Sequence, residues 1–74
     1  MTKLPVVSGK QVIKALKRAG FYVHHQKGGH VTLRMEEYPQ ILVIAPVHHV
    51  VKKGTLKSIL KDAGLTVEEF VEFL

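Results

Sequence analysis

Two short stretches of alternating side chains, separated by Lys27-Gly28-Gly29, constrain this sequence more than any other feature. A period of two is typical of a strand with one apolar face, and adjacent glycines favour a tight turn. The apolar positions are Phe21, Val23, Val31, Leu33 and Met35. The polar positions are Tyr22, His24, Gln26, His30, Thr32 and Arg34. The pattern therefore predicts a β-hairpin with one face toward a core and one polar face.

A third strand is predicted over residues 41–45, which are all apolar. It follows a short loop, so it should pair with the second strand and lie at the edge of an antiparallel meander. Its side chains are apolar on both faces, and an uncovered edge strand favours association with another chain. Alternatively, the chain's own helices and loop cover these side chains.

Helical spacing and capping residues predict three helices beside the sheet. Capping boxes mark the start of the first and last helices, at Ser8 with Gln11 and at Thr66 with Glu69. Glycines mark the ends of the first and second helices, at Gly20 and Gly64. The first helix should span residues 9–19, and the second carries its apolar face between residues 56 and 63.

These elements predict an α+β domain with the order α-β-β-β-α plus a short C-terminal helix. Two helices would pack on one face of a three-stranded antiparallel sheet. The chain has 74 residues, which we interpret as one domain over residues 1–74. The predicted core consists of Leu16, Phe21, Val23, Val31, Leu33, Leu56, Ile59 and Leu60. The order of elements resembles that of the double-stranded-RNA-binding domain.

The net charge of +5 is concentrated in the first half of the chain. Residues 1–35 hold seven of the eleven basic residues and none of the six acidic ones. Such asymmetry favours an anionic partner, with nucleic acid ahead of a membrane. The candidate RNA contacts are Lys10, Lys14, Lys17, Arg18, Lys27 and Arg34. For the helix residues among them, a merely solvated face is the alternative.

The chain shows neither a signal-peptide layout nor an apolar run near the roughly 20 residues that a membrane span needs. We therefore expect a cytoplasmic protein without membrane contact. The absence of cysteine excludes disulfides and thiolate metal sites. Adjacent histidines on a strand point to opposite faces, so neither His24-His25 nor His48-His49 should chelate a metal. No metal or other cofactor is expected.

Among the five histidines, His30 has the setting that best suits chemistry on a phosphodiester. It follows Gly28-Gly29. Because glycine has no side chain, a phosphate could approach the backbone N–H groups there. Antiparallel pairing would place it across from Pro46 and bring His48 to the same edge of the sheet. Neutral imidazole can accept a proton from a ribose 2′-hydroxyl, and imidazolium can donate one to the leaving 5′-oxygen. The alternative is an ordinary solvated strand residue.

The remaining groups receive supporting or ordinary roles. Lys27 and Arg34 could stabilise charge that develops on the phosphate. His48, Gly28 and Gly29 are candidates for catalytic support. His24 and His25 are interpreted as ordinary strand residues or RNA contacts.

Seven short motifs along the chain resemble one known family. They are Ser8-Gly9, Ala19-Gly20-Phe21, Gln26-Lys27-Gly28-Gly29-His30, Pro46-Val47-His48, Lys53-Gly54-Thr55-Leu56, Ile59-Leu60-Lys61-Asp62-Ala63-Gly64-Leu65 and Glu68-Glu69-Phe70. Their order and spacing resemble the HicA toxins of prokaryotic HicA–HicB toxin–antitoxin systems, over nearly the whole chain from Ser8 onward. The family's functional histidine lies in a Gly-Ser-His motif, which falls here on Gly28-Gly29-His30, with Gly29 where the family usually has serine.

The resemblance implies a double-stranded-RNA-binding-like fold and a toxin that cleaves mRNA. It also implies a HicB-like antitoxin as partner, and hence a hetero-oligomer. From the residues alone, two other functions stay open. One is a non-catalytic RNA-binding module of the same fold, and the other is a protein-binding domain that uses its third strand as the contact edge.

Overall fold

The computed structural model describes residues 3–74, which form three helices and three strands. In chain order they are α1 (Gly9–Arg18), β1 (Phe21–Lys27), β2 (His30–Met35), β3 (Leu42–Pro46), α2 (Lys53–Ala63) and α3 (Val67–Phe73). The predicted α+β class and the α-β-β-β-α-α order are confirmed. No helix within the described residues has the length and apolar character that crossing a membrane demands.

The helices begin where the capping residues predict. The Ser8 hydroxyl accepts from the Gln11 backbone N–H at 3.2 Å, and the Gln11 side chain accepts from the Ser8 N–H at 2.8 Å. Thr66 and Glu69 form the same reciprocal pair at the start of α3. These bonds satisfy backbone donors that have no partner inside the helix.

The helix ends differ slightly from each other. Gly64 has a left-handed φ of 73° and lets the Leu65 N–H return to the Leu60 carbonyl, which closes α2 as expected. Gly20 also has a positive φ, of 101°, but α1 ends at Arg18, one residue earlier than predicted.

The sheet is an antiparallel meander in the order β1-β2-β3. His30 pairs with Pro46, as predicted, and Arg34 pairs with Leu42 at the other end of β2. The helices cover one side of this sheet, which we call the core face. The opposite side is called the open face, and register with alternation assigns to it Tyr22, His25, Lys27, His30, Thr32, Arg34, Leu42, Ile44 and Pro46.

A β-bulge in β1 corrects the predicted alternation. The register shifts between Val23, which pairs with Leu33, and His25, which pairs with Thr32. One residue of β1, His24, is therefore extra, and the alternation reverses beyond it. The prediction that Gln26 shares the polar face with Tyr22 is wrong, because Gln26 pairs with the core residue Val31 and the bulge puts His25 and Lys27 on the polar face instead.

The core lies between the helices and the core face of the sheet. Seven of the eight predicted core residues are buried, and Val23 is not, with 40% of its surface exposed. Val23 lies on an edge strand whose residues beyond Tyr22 are all exposed, because the helices cover only the start of β1. The core also includes members outside the predicted set, which are Val7, Val12, Ala15, Val43, Ala45, Val51, Ala63 and Phe70.

A short backbone pairing joins the segment before α1 to the segment after β3. The Val51 N–H donates to the Val7 carbonyl at 2.8 Å, and the Gly9 N–H donates to the His49 carbonyl at 3.1 Å. His49 takes a left-handed φ of 63° in this connection. Gly9 lies so close to Pro46 that a Cβ atom there would overlap the Pro46 carbonyl. The start of α1 is thereby held against the end of β3 that pairs with His30.

Candidate functional site

His30 lies at the last row of the sheet, where the β1–β2 hairpin turns. It pairs with Lys27 on one side and with Pro46 on the other, so these three residues form one row across the open face. The turn between Lys27 and His30 contains only Gly28 and Gly29, and Gly28 has a left-handed φ of 58°. His30 and Lys27 are both exposed. The imidazole and the ammonium group are thus neighbours on a surface that a polyanion can reach.

His48 reaches the same end of the sheet, as the sequence predicts. The Val47 N–H donates to the Gly29 carbonyl at 2.8 Å, which extends the β2–β3 pairing past Pro46. The His48 ring then lies against Gly29: a Cβ built on that glycine would be 3.0 Å from Cδ2 and 3.5 Å from Nε2. Glycine at this position therefore leaves room for the His48 ring, and the two residues fit together.

The bulge brings a third histidine to this face. His25 pairs with Thr32, and the row of His25, Thr32 and Ile44 is adjacent to the row that contains His30. His25 is exposed, and on the grid of the sheet it is the diagonal neighbour of His30. Strict alternation along β1 predicts the core face for His25, so this arrangement could not be predicted without the bulge.

The two arginines predicted to contact RNA are held elsewhere in the fold. Arg34 lies four residues along β2 from His30, roughly 13 Å away at the rise of a strand. Its Nη1 donates to the Pro39 carbonyl at 2.7 Å, in the β2–β3 loop. Arg18 Nη1 donates to the Phe73 carbonyl at 2.9 Å and to a Leu74 oxygen at 3.3 Å. Neither guanidinium belongs to the immediate surroundings of His30.

The α1 lysines are exposed but lie on the other side of the sheet from His30. Since α1 packs on the core face, the outward sides of Lys14 and Lys17 point away from the open face. Lys10 differs because it follows Gly9, which touches the backbone of Pro46. Of the three lysines, Lys10 is therefore nearest to the edge that carries His30.

The surroundings of His30 are cationic and free of acidic side chains. Lys52 and Lys53 begin α2 shortly after His48 and His49, and both are exposed. The acidic residues lie in the β2–β3 loop, in the last turn of α2 and along α3, and they are Glu36, Glu37, Asp62, Glu68, Glu69 and Glu72. Among the described residues, the end of the sheet that carries His30 is therefore cationic, whereas Arg34 lies at the other end beside the acidic β2–β3 loop.

Within residues 3–74 no group of three or more histidine, aspartate or glutamate side chains is arranged to hold a metal ion. No carboxylate lies in the two rows of the open face that contain His25 and His30. The chemistry that this arrangement offers from its own side chains is proton transfer by imidazole together with charge stabilisation by lysine.

A separate groove of about 460 Å³ runs between β3 and α2. It is lined by Leu42, Ile44, Gly54, Thr55, Ser58, Ile59 and Asp62. Its mixture of apolar side chains, hydroxyls and one carboxylate does not suit an anionic ligand. Leu42 and Ile44 are 36% and 53% exposed, so the alternative that the chain's own helices cover them is wrong.

A protein-family model described as the HicA toxin of bacterial toxin–antitoxin matches residues 9–65. No curated protein matches the chain. The matched region contains all three strands and the hairpin turn. It therefore includes His25 and His30 on the open face and His48 beside Gly29.

Proposed function

The chain belongs to the HicA toxin family, and on this premise we propose that it is an endoribonuclease that blocks translation in the cytoplasm by cutting mRNA. The observation that supports this best is the placement of His30. An exposed imidazole lies on the last row of the sheet, beside Lys27 and at the end that His48 also reaches. No acidic side chain shares this row, so an RNA phosphate can approach without repulsion.

The proposed reaction is internal transfer of the phosphoryl group within RNA. The ribose 2′-oxygen attacks the neighbouring phosphorus, the bond from phosphorus to the 5′-oxygen breaks, and a 2′,3′-cyclic phosphate and a free 5′-hydroxyl result. His30 either accepts the 2′-hydroxyl proton or donates one to the leaving 5′-oxygen. Lys27 stabilises the additional negative charge on the phosphate in the transition state. Neither water nor a metal ion is consumed in this step.

A second proton-transfer group is needed because one imidazole cannot act as base and acid in the same step. His48 is one candidate, since its ring lies against Gly29, next to His30 in the chain. A lysine or a bound water molecule is another. Gly28 and Gly29 support the reaction differently: they keep side chains away from the phosphate and leave backbone N–H groups accessible.

The proposed partner is a HicB-like antitoxin that binds this toxin directly and forms a hetero-oligomer with it. Leu42 and Ile44 offer exposed apolar surface on the open face, next to the unpaired edge of β3. An antitoxin that covers His30 and part of this strand would block RNA and bury apolar area together.

We test the catalytic proposal with wild type, His30→Ala and His48→Ala, incubated with RNA in chelator. His30→Ala should fold normally, because substitutions at exposed polar positions change stability by less than about 0.5 kcal/mol. It should lose cleavage by about 10²–10⁴-fold, the usual contribution of general acid–base catalysis, and should no longer arrest growth. Antitoxin binding should persist, since it depends on buried area more than on one imidazole.

Circular dichroism, thermal melting, antitoxin binding and cleavage are measured on each variant. A folded His30→Ala protein that cuts RNA at the wild-type rate would contradict the assignment of His30. Loss of cleavage in His48→Ala alone would move the catalytic role to His48. Binding of RNA without products in wild type would identify the chain as an RNA-binding module of the same fold.

A further inference from the structure

We propose that His25 is the second catalytic imidazole, which transfers a proton in the direction opposite to that of His30. This inference rests on the proposed RNA-cleaving function and names the group that the reaction still requires. It comes from the bulge in β1, because strict alternation would direct His25 toward the core face.

The register of the hairpin places the two histidines on adjacent rows of the open face. His30 pairs with Lys27, and His25 pairs with Thr32, so His25 and His30 are diagonal neighbours. Diagonal neighbours in an antiparallel pair lie roughly 7–8 Å apart, within reach of long or aromatic side chains. A phosphodiester group can lie between two such rings and accept or donate a hydrogen bond on each side.

The bulge itself is a reason to assign His25 a role. A bulge interrupts pairing and bends the strand, and bulges are over-represented beside active sites, where they redirect side chains. Here the extra residue is His24, and its effect is to move His25 and Lys27 together to the side of His30. His25 is exposed, so burial in the core does not account for its position.

The charges that face His25 suit an acid–base pair. Its own strand contributes Tyr22 and Lys27 to the open face, and β2 contributes His30 and Arg34. The facing residues of β3 are apolar, and no carboxylate lies on these rows. Imidazole can act as a general base or as a general acid, so His25 and His30 can serve as a proton-transfer pair on the open face.

The balanced step uses both imidazoles. One starts neutral and takes the 2′-hydroxyl proton as the 2′-oxygen bonds to phosphorus. The other starts protonated and gives its proton to the 5′-oxygen as that bond breaks. The two rings have then exchanged protonation states, and solvent restores them before the next turnover.

The first test compares His25→Ala and His25→Gln with His24→Ala, all in the full chain. His24 is also an exposed histidine and precedes His25 in β1, so its variant is a control for the loss of an imidazole from this strand. With enzyme in excess over RNA and chelator present, His25 variants should cleave about 10²–10⁴-fold more slowly than wild type. His24→Ala should stay close to the wild-type rate.

Binding is measured separately, with an RNA analogue that lacks the 2′-hydroxyl at the cleaved position and cannot react. Its affinity for His25→Gln should stay within a few fold of that for wild type. Equal cleavage rates for His24→Ala and both His25 variants would overturn the inference, and so would a rate loss fully explained by weaker binding.

The second test separates acid from base at a cleavage site mapped with wild type. An oligonucleotide with sulfur in place of the leaving 5′-oxygen there needs no protonation of its leaving group. It should restore the rate of one of the two variants, His25→Ala or His30→Ala, and not of the other. If this substrate restored the cleavage rate of both variants or of neither, the assignment of His25 and His30 as an acid–base pair would be overturned. Cleavage of RNA by wild type would still support the proposed function. If wild type cuts no RNA at all, the proposed function and this inference both fail.

Discussion

Gly9 lets the start of α1 lie directly against the end of β3, where Pro46 pairs with His30. This close approach is possible because glycine has no side chain. Its N–H donates to the His49 carbonyl, and a Cβ atom would overlap the Pro46 carbonyl. The neighbouring Val7 and Val51 are buried and joined by a second backbone hydrogen bond. A residue without any catalytic group therefore determines where the chain after β3 lies, and with it the position of His48.

We expect Gly9→Ala to destabilise the fold by about 1–3 kcal/mol, because the added methyl forces the backbone apart as overpacking does. Gly54→Ala is the matched control, since Gly54 lies in the first turn of α2 and a Cβ there meets open space. Alanine at that position should raise stability by about 0.5–1 kcal/mol. Urea unfolding of both variants gives the two values, and equal stability of Gly9→Ala and wild type would contradict the close approach.

Gly29 and His48 show a second dependence between single residues. The Gly-Ser-His motif of the family falls on Gly28-Gly29-His30, so glycine takes the position of the serine. The His48 ring lies 3.0 Å from where a Cβ on Gly29 would be, so serine there would press on the ring. The departure from the family pattern and the position of His48 are therefore two parts of one local packing arrangement.

At the scale of elements, α1 combines a structural face with a charged one. Its buried side packs on the sheet through Val12, Ala15 and Leu16, while Lys14 and Lys17 are exposed. The basic side lies across the sheet from His30, so α1 contacts RNA only if the bound strand continues around the edge near Lys10. Binding that depends on phosphates is recognised by its dependence on salt.

If the bound RNA does continue around this edge onto α1, replacement of Lys14 and Lys17 with Gln should weaken RNA binding for all sequences alike. It should also flatten the log–log slope of affinity against salt by about one unit for each phosphate that the variant no longer neutralises. Lys57→Gln with Lys61→Gln on α2 removes the same charge from exposed positions and should leave the slope as in wild type. Affinities are measured by titration of fluorescent RNA at several salt concentrations. An unchanged slope in the α1 variant would assign that face of α1 to solvent.

At the scale of the whole molecule, the surface divides into a cationic end and an apolar edge. The hairpin turn, Lys10, Lys52 and Lys53 lie toward the end that carries His30, whereas acidic residues occupy the β2–β3 loop and the later helices. The unpaired edge of β3 and the groove beside α2 form the apolar edge. One partner can contact Lys27 and His30 together with Leu42 and Ile44, because these four residues share the open face.

We predict that the antitoxin covers the open face around His30 and part of Leu42 or Ile44. Hydrogen exchange in the complex should slow in β3 and in the β1–β2 hairpin. Ile44→Asp should weaken antitoxin binding by roughly ten- to a hundred-fold, since burial of one such side chain is worth about 1.5–3 kcal/mol. Val71→Asp, on α3 and 38% exposed, is the control and should bind as wild type does. Protection confined to α1 would contradict the prediction.

The fold class and the sites where elements begin and end were predictable from the sequence. Alternation around two glycines, apolar spacing in the helices and the capping pairs at Ser8 and Thr66 depend only on neighbours in the chain. So does the pairing of His30 with Pro46, because a short loop and a regular antiparallel ladder leave little choice of register. These features are local, and local physical preferences determine them.

The bulge at His24, the exposure of Val23 and the close contacts of Gly9 and Gly29 were decided by the tertiary structure. A bulge moves the side chains that follow it to the opposite face of the sheet, although the amino-acid composition of the strand is unchanged. The exposure of a strand residue depends on how far the helices reach across the sheet. Likewise, the Arg18 guanidinium donates to main-chain oxygens of Phe73 and Leu74, which are far from it in the sequence. The sequence therefore determined the elements and His30 as the candidate residue, and the three-dimensional packing determined which side chains surround it.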